Sequence, residues 1–142
     1  MRSDMGIDSI SRDFTWEEMC YSRVAVEKGI LNDMPEPARK AMRELVKRLL
    51  QPLRIAYGGP IHITSGYRCP ELNRLVGGVP SSQHVKGEAA DCYVPDPARL
   101  VEILMIGELP FDQVIWYQDR NFVHVSLRNF GENRKQLMIR YK

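Results

Sequence analysis

An α+β fold, with a mostly antiparallel sheet packed against N-terminal helices, is what this sequence predicts. Two observations carry that reading. Up to residue 57 the chain holds helix-start signals and an apolar period of three and four. After Gly58-Gly59-Pro60 the pattern turns to alternation, and β-rich runs follow with helical segments between them. The 142 residues have the length of one domain, 1–142, with a helical part to residue 57 and a sheet-bearing part over 61–142. A chain of this size buries about 68–70% of its unfolded surface, enough for a core without staples.

The elements follow in order. Thr15 begins the first helix as a cap, with Glu18 three residues on as its capping-box partner and Gly29 as the stop. A second helix starts near Pro35. There Ala38, Met42, Leu45, Val46, Leu49 and Leu50 form an apolar face, while Arg39, Lys40, Arg43, Lys47 and Arg48 face water. Pro52, inside this pattern, is expected to kink or end it. Ile61 to Thr64 reads as a strand, with His62 pointing away from Ile61 and Ile63. A short helix over Pro70–Val76 closes at Gly77-Gly78, and a loop from Val79 to Lys86 leads into a strand over Glu88–Val94. Asp96 caps the next helix, with Pro97 at its first position and Gly107 at its end. Phe111–Tyr117 and Phe122–Leu127 are strands joined by a polar turn, and the last strand is Gln136–Tyr141.

Composition narrows the function classes. Twenty Lys and Arg against 18 Asp and Glu leave a formal charge of +2. Counterion release needs a clustered basic surface, so no nucleic-acid partner is expected, and the basic helix face reads as solvated. Cys20, Cys69 and Cys92 have no CxxC spacing, which speaks against a disulfide framework or a thiolate zinc knot and for a reducing compartment. Met1 to Gly6 shows no apolar run after Arg2, and no stretch reaches the roughly 20 apolar residues of a membrane span. A cytoplasmic protein without a membrane partner is expected, with release to the cell wall if the cell lyses.

Two of the three histidines lie in suggestive places. His84 sits on the loop, Asp91 on the strand that follows it, and His124 inside a later strand. Alternation sends Phe122, His124 and Ser126 to one face, and Gly87, Ala89 and Asp91 share a face of theirs. If these strands are neighbours, Asp91 and His124 point into one space with His84 above them. Two imidazoles and a carboxylate leave a fourth tetrahedral position for water, the pattern of catalytic zinc. The small residues Gly87 and Ala89 suit such a site, where larger side chains would crowd it. By spacing alone, ordinary core or edge histidines are the commoner explanation, and zinc is the minority one.

The whole pattern is more specific. Ser82-x-His84-x-x-Gly87-x-Ala89-x-Asp91, the distant His124-x-Ser126, and the run Ser65-Gly66-Tyr67-Arg68-Cys69-Pro70-Glu71-Leu72-Asn73 resemble the zinc D-Ala-D-Ala carboxypeptidase family. That family includes phage L-alanyl-D-glutamate endolysins and shares its fold with the hedgehog signalling domain. The likeness covers Ile61 to Leu127, about half of the chain. It implies a hedgehog-like fold, Zn2+ bound by His84, Asp91 and His124, and a metallopeptidase, carboxypeptidase or endopeptidase, acting on peptidoglycan peptides at a bond involving a D-amino acid. Arg68 matches the arginine that neutralises a substrate carbonyl or carboxylate oxygen. Ser82 matches a serine that hydrogen-bonds substrate, and capping of the loop backbone suits it as well. Tyr67 and Trp116 are candidates for the cleft wall or for the core.

One departure bears on catalysis. Relatives keep a carboxylate as general base three residues before the second zinc histidine or a little further back. Here Asn121 holds that place, and Tyr117 and Gln118 fill the others. Asp119 on the turn is the nearest carboxylate and is the expected base; Asp112 is expected to anchor the preceding turn. Without a base, a zinc-bearing binding module of the same fold is the alternative function.

Overall fold

The computed structural model describes residues 8–141. Met1–Gly6, the segment read above for a leader, lies outside the described residues. A two-stranded antiparallel hairpin, β1 (Ser9–Ser11) and β2 (Phe14–Thr15), comes first. Its strands are too short to show alternation, and side chains from elsewhere hold it. Gln51 Nε2 donates to the Asp13 carboxylate at 2.7 Å, and Gln51 Oε1 accepts from the Asp13 N–H at 3.0 Å.

Thr15 caps α1 (Trp16–Cys20), and Glu18 completes the capping box. The single helix expected up to Gly29 is in fact two. Tyr21 and Ser22 are extended, and Ser22 caps α2 (Arg23–Lys28) by accepting from the Ala25 N–H at 3.1 Å. A serine that can satisfy a backbone donor outside the helix competes with helix continuation. Gly29 closes α2 at φ 67°.

Pro52 does not end the long apolar-faced helix. α3 (Glu36–Leu45) widens into one π-type turn over Val46–Leu50, where the Gln51 N–H reaches back to Val46 O, and then continues as α4 (Gln51–Tyr57). Proline has no N–H to give and its ring crowds the carbonyl four residues back. The wider turn just ahead of Pro52 makes room for that ring.

The main sheet has five strands in the order β3-β4-β6-β5-β7. They are β3 (His62–Ser65), β4 (Ala89–Tyr93), β5 (Gln113–Tyr117), β6 (Phe122–Ser126) and β7 (Gln136–Arg140). Between them run α5 (Pro70–Leu75) and α6 (Pro97–Ile106), the latter capped by Asp96. Pairing is antiparallel except for β5 with β7, which is parallel, so the fold is α+β with a mixed, mostly antiparallel sheet.

Alternation divides the sheet into two faces. Ile63, Ala90, Cys92, Val114, Val123 and Val125 turn inward and pack on the apolar faces of the helices, with Met42, Leu45, Leu49, Leu53, Leu100 and Leu104 all at 1% exposure or less. Trp116 packs against this core and does not line the cleft. His62 is exposed between buried Ile61 and Ile63, as alternation requires. The three cysteines are free, and among the described residues no helix is long and apolar enough to cross a membrane. The opposite face of the sheet is left for the site.

Asp112 is an ionic anchor at the entry to β5. Its side chain is 0% exposed; it accepts from Arg134 Nη2 at 2.6 Å and from the Arg134 backbone N–H at 2.7 Å, and it lies 3.3 Å from Arg128 Nε. This fastens the segment between β6 and β7, so the Asp112 side chain anchors a segment distant in sequence and not the turn before its own strand. Burial would raise its carboxyl pKa, but the hydrogen bonds and charges of Arg134 and Arg128 outweigh burial and hold it below the ordinary carboxylate value. A depressed folded-state pKa means that the unfolded chain takes up protons first as pH falls. The stabilisation is therefore complete above about pH 4 and is lost as pH drops through the folded-state value. Asp112→Asn should lower unfolding free energy at pH 7 by about 2 kcal/mol. The same variant should lose less stability than the parent on acidification. Urea melts at pH 7 and near pH 3 check this, and equal acid sensitivity in the two proteins would exclude Asp112 as the source.

Candidate metal centre

Asp91 and His124 are directly opposite each other in the antiparallel β4–β6 ladder. Directly paired residues carry Cβ atoms about 4.5–5.5 Å apart on the same face, so the register alone brings these side chains together. His124 Nδ1 lies 2.9 Å from Asp91 Oδ1. His84 arrives from the loop before β4, with Nε2 3.4 Å from the same Asp91 oxygen and its ring edge-on to His124 at 5.2 Å between centroids. One ligand atom from each of the three residues lies within 4.8 Å of the others.

The loop that carries His84 is built for close approach. Gly66 follows β3, and a Cβ on it would collide with Met19 O at the end of α1. With no side chain there, the Tyr67 N–H reaches Met19 O at 2.7 Å and the Gly66 carbonyl lies 2.7 Å from His84 Nδ1. A carbonyl only accepts, so Nδ1 carries a proton there, and Nε2 is the ring nitrogen that faces Asp91. The Arg68 N–H donates to His84 O, and the Ser82 hydroxyl accepts from the His84 N–H at 3.2 Å. Ser82 thus caps the loop backbone, with its hydroxyl proton free to turn toward the cleft that it lines.

Gly87 serves a different purpose from the one expected. At φ 76° it adopts a left-handed conformation, and a Cβ on it would strike the Ala38 carbonyl of α3, not a metal site. Ala89 shares the face of Asp91 and is fully buried opposite Ser126. Asn32 and Gly66 are positioning residues that sequence reasoning missed. The Asn32 side chain donates to Cys20 O and Tyr67 O and accepts from the Cys69 N–H at 2.7 Å, clasping the run from Tyr67 to Cys69. Nothing local marks Asn32 in the sequence. Gly66 could have been singled out as a glycine directly after a strand.

These groups line a cleft of about 890 Å³. Arg68 lies in its wall, half-buried, with Nε enclosed and without a hydrogen-bond partner and no carboxylate paired to its guanidinium among the described residues. Burial pulls its pKa down, and the Asp91 charge works against that. Tyr67 is buried at the cleft edge. Asp119 is not brought to the site: it is exposed on the β5–β6 turn and does not line the cleft. Among the described residues Asp91 is the one carboxylate that does. Tyr117 faces the cleft from β5, stacked on Phe122 at 4.7 Å.

Burial would raise the Asp91 carboxyl pKa, but hydrogen bonds and charge from His124 and His84 prevail and hold it well below the usual carboxylate range. An ionised carboxylate and an oriented imidazole lone pair are what a divalent ion requires. Tetrahedral zinc at 2.0–2.2 Å from its ligands places them about 3.3 Å from one another. The two carboxylate–imidazole separations here, 2.9 Å and 3.4 Å, are close to that figure, and all three ligand atoms lie within 4.8 Å of one another. Gly66→Ala should displace the carbonyl that orients His84. Outer partners of this kind are worth about 10–100-fold in metal affinity, so a chelator-competition titration should show at least a tenfold loss; unchanged affinity would remove Gly66 from the positioning role.

The comparisons with known proteins bear on the same stretch of chain. No curated protein matches the chain. The family model described as Peptidase M15 matches residues 12–126, from the N-terminal hairpin through the last residue of β6, and so takes in His84, Asp91, His124 and the Gly66 turn that orients them. The chain belongs to the Peptidase M15 family.

Proposed function

We propose that this protein is a zinc-dependent peptidase that hydrolyses an amide bond in bacterial cell-wall peptides, at a position involving a D-amino acid. The observation that carries this is the meeting of His84, Asp91 and His124 in a cleft whose wall holds an unpaired arginine. A zinc ion held by those three side chains supplies a Lewis acid that polarises the scissile carbonyl and brings the pKa of water to around 7.

The chain's own residues supply the rest. Gly66 O keeps the proton on His84 Nδ1, so Nε2 stays free to ligate. Asp91, ionised between the two imidazoles, gives the site its negative charge. Arg68 holds a fixed positive charge in a partly dry wall, where its attraction for a developing oxyanion exceeds what it would be in water. The stacked rings of Tyr117 and Phe122 form an apolar side of the cleft against which a peptide can lie.

One observation favours a second reading. With Asp91 committed to the metal and Asp119 turned away, no cleft-lining carboxylate remains among the described residues to take a proton from water. General base catalysis contributes typically 10²–10⁴-fold, and the side chain on the cleft face of β5 nearest the turn is Tyr117. A zinc-bearing module that binds wall peptides without cutting them accounts for this.

Two measurements separate the readings. Protein purified without added metal should contain about one zinc per chain, the stoichiometry of a three-ligand site. Incubation of that protein with purified peptidoglycan peptides should yield new amide-cleavage products by mass spectrometry. Zinc without any cleavage favours the binding module; no zinc at all removes both. If cleavage occurs, Arg68→Gln should lower kcat by about 10²–10³, as loss of one oxyanion donor does, and leave zinc content intact.

A further inference from the structure

Four arginines line the cleft, and their partners differ. Arg134 is committed to Asp112 at 2.6 Å, and Arg23 pairs with Glu27 at 3.0 Å. Arg68 and Arg120 have no carboxylate partner among the described residues. The one carboxylate in the cleft, Asp91, is engaged by two imidazoles. A negatively charged group entering the cleft thus meets two unspent guanidiniums and no free acid.

Arg120 is exposed on the β5–β6 turn, at the edge of the cleft. Its backbone N–H closes the β5–β6 turn onto Tyr117 O at 3.2 Å. Its guanidinium carbon lies 5.2 Å from the Tyr117 ring centre and 5.8 Å from that of Phe122, over the pair of stacked rings. Cation–π seating at this exposed place favours one position of the planar fork while leaving its hydrogen-bond donors for a carboxylate. Register puts this turn beyond the Tyr93 and Phe122 end of the strands that carry Asp91 and His124. Arg68 follows Ser65, which pairs with Asp91, as the chain leaves toward the other end. The two free charges therefore flank the metal residues along the strand direction.

We propose that Arg120, seated on Tyr117 and Phe122, is a specificity-determining residue that binds a carboxylate of the substrate on the side of the metal centre away from Arg68. The ligand class is an acidic peptide that carries a free carboxylate beyond the scissile bond from the group that Arg68 holds. This rests on the reading of the cleft as a peptide site, and the test is arranged so that the two fail separately.

The probes are synthetic peptidoglycan stem peptides made in pairs, with the acidic residue either as free carboxylate or as carboxamide. Binding to metal-free protein is measured by calorimetry, and KM and kcat are measured on the zinc-loaded protein. The parent should bind the acid form at least about tenfold more tightly than the amide, the scale of one charge-assisted pair. Arg120→Gln should bring that ratio close to one, raise KM for the acid form with little change in kcat, and leave zinc content as it was. Arg120→Lys should restore part of the preference. A parent that binds both forms alike, or binds neither, overturns the assignment, as does a ratio that Arg120→Gln leaves unchanged. Binding with the expected ratio but no turnover supports Arg120 and counts against the peptidase; turnover with an Arg120-independent ratio does the reverse.

Discussion

The in-register antiparallel pairing of β4 with β6 is the constraint on which the rest depends. Asp91 opposite His124 is a consequence of backbone hydrogen bonding, held by the burial of Ala90, Cys92, Val123 and Val125 on the other face. A slip of one residue would send both polar side chains into the core and bring buried aliphatic groups out to water. The apolar face therefore enforces the polar one. Two of the three proposed ligands, Asp91 and His124, thus sit on central strands, where backbone pairing fixes their separation.

His84 comes from a loop and needs separate support, supplied by backbone groups. Gly66 O sets its tautomer, the Arg68 N–H holds its carbonyl, and Ser82 caps its own N–H. Gly87 brings the His84 loop against Ala38 of α3, and Gly66, on the segment after β3, fits against Met19 of α1 and reaches His84 with its carbonyl. This links the N-terminal helices to the site: α3 backs the His84 loop, and α1 backs the segment that orients His84. Asn32, which clasps Cys20, Tyr67 and Cys69, does the same for the turn that carries Arg68.

Charge is distributed just as unevenly. The chain is close to neutral, with 20 basic and 18 acidic residues, yet its cleft holds four arginines and one aspartate. Two of those arginines are consumed by structure, Arg134 by the buried Asp112 and Arg23 by Glu27. Net charge averages over the surface and carries no information on such a local excess. The scarcity of acid in the cleft is also what keeps a non-catalytic role in contention, because a metal that activates water still requires a place for the proton.

Strongly periodic and well-capped segments were legible from the amino-acid order alone. The apolar face of α3, the Thr15–Glu18 box, the Asp96 cap and the alternation of β6 are local patterns, and local physics produces them. The residue types of a His-Asp-His site, its motif spacing and the likeness to a zinc peptidase family were legible too. The sequence did not show the β1–β2 hairpin, the break at Tyr21 or the passage of the helix through Pro52, since each depends on a partner distant in the chain or on a backbone adjustment that no residue spells out. It suggested Asp119 as a base by proximity along the chain, whereas the turn directs that side chain to solvent. Which groups share a space, and which charges are left unpaired, was decided only when the strands paired and the loop was clamped, because those distances are set by contacts between segments far apart in sequence.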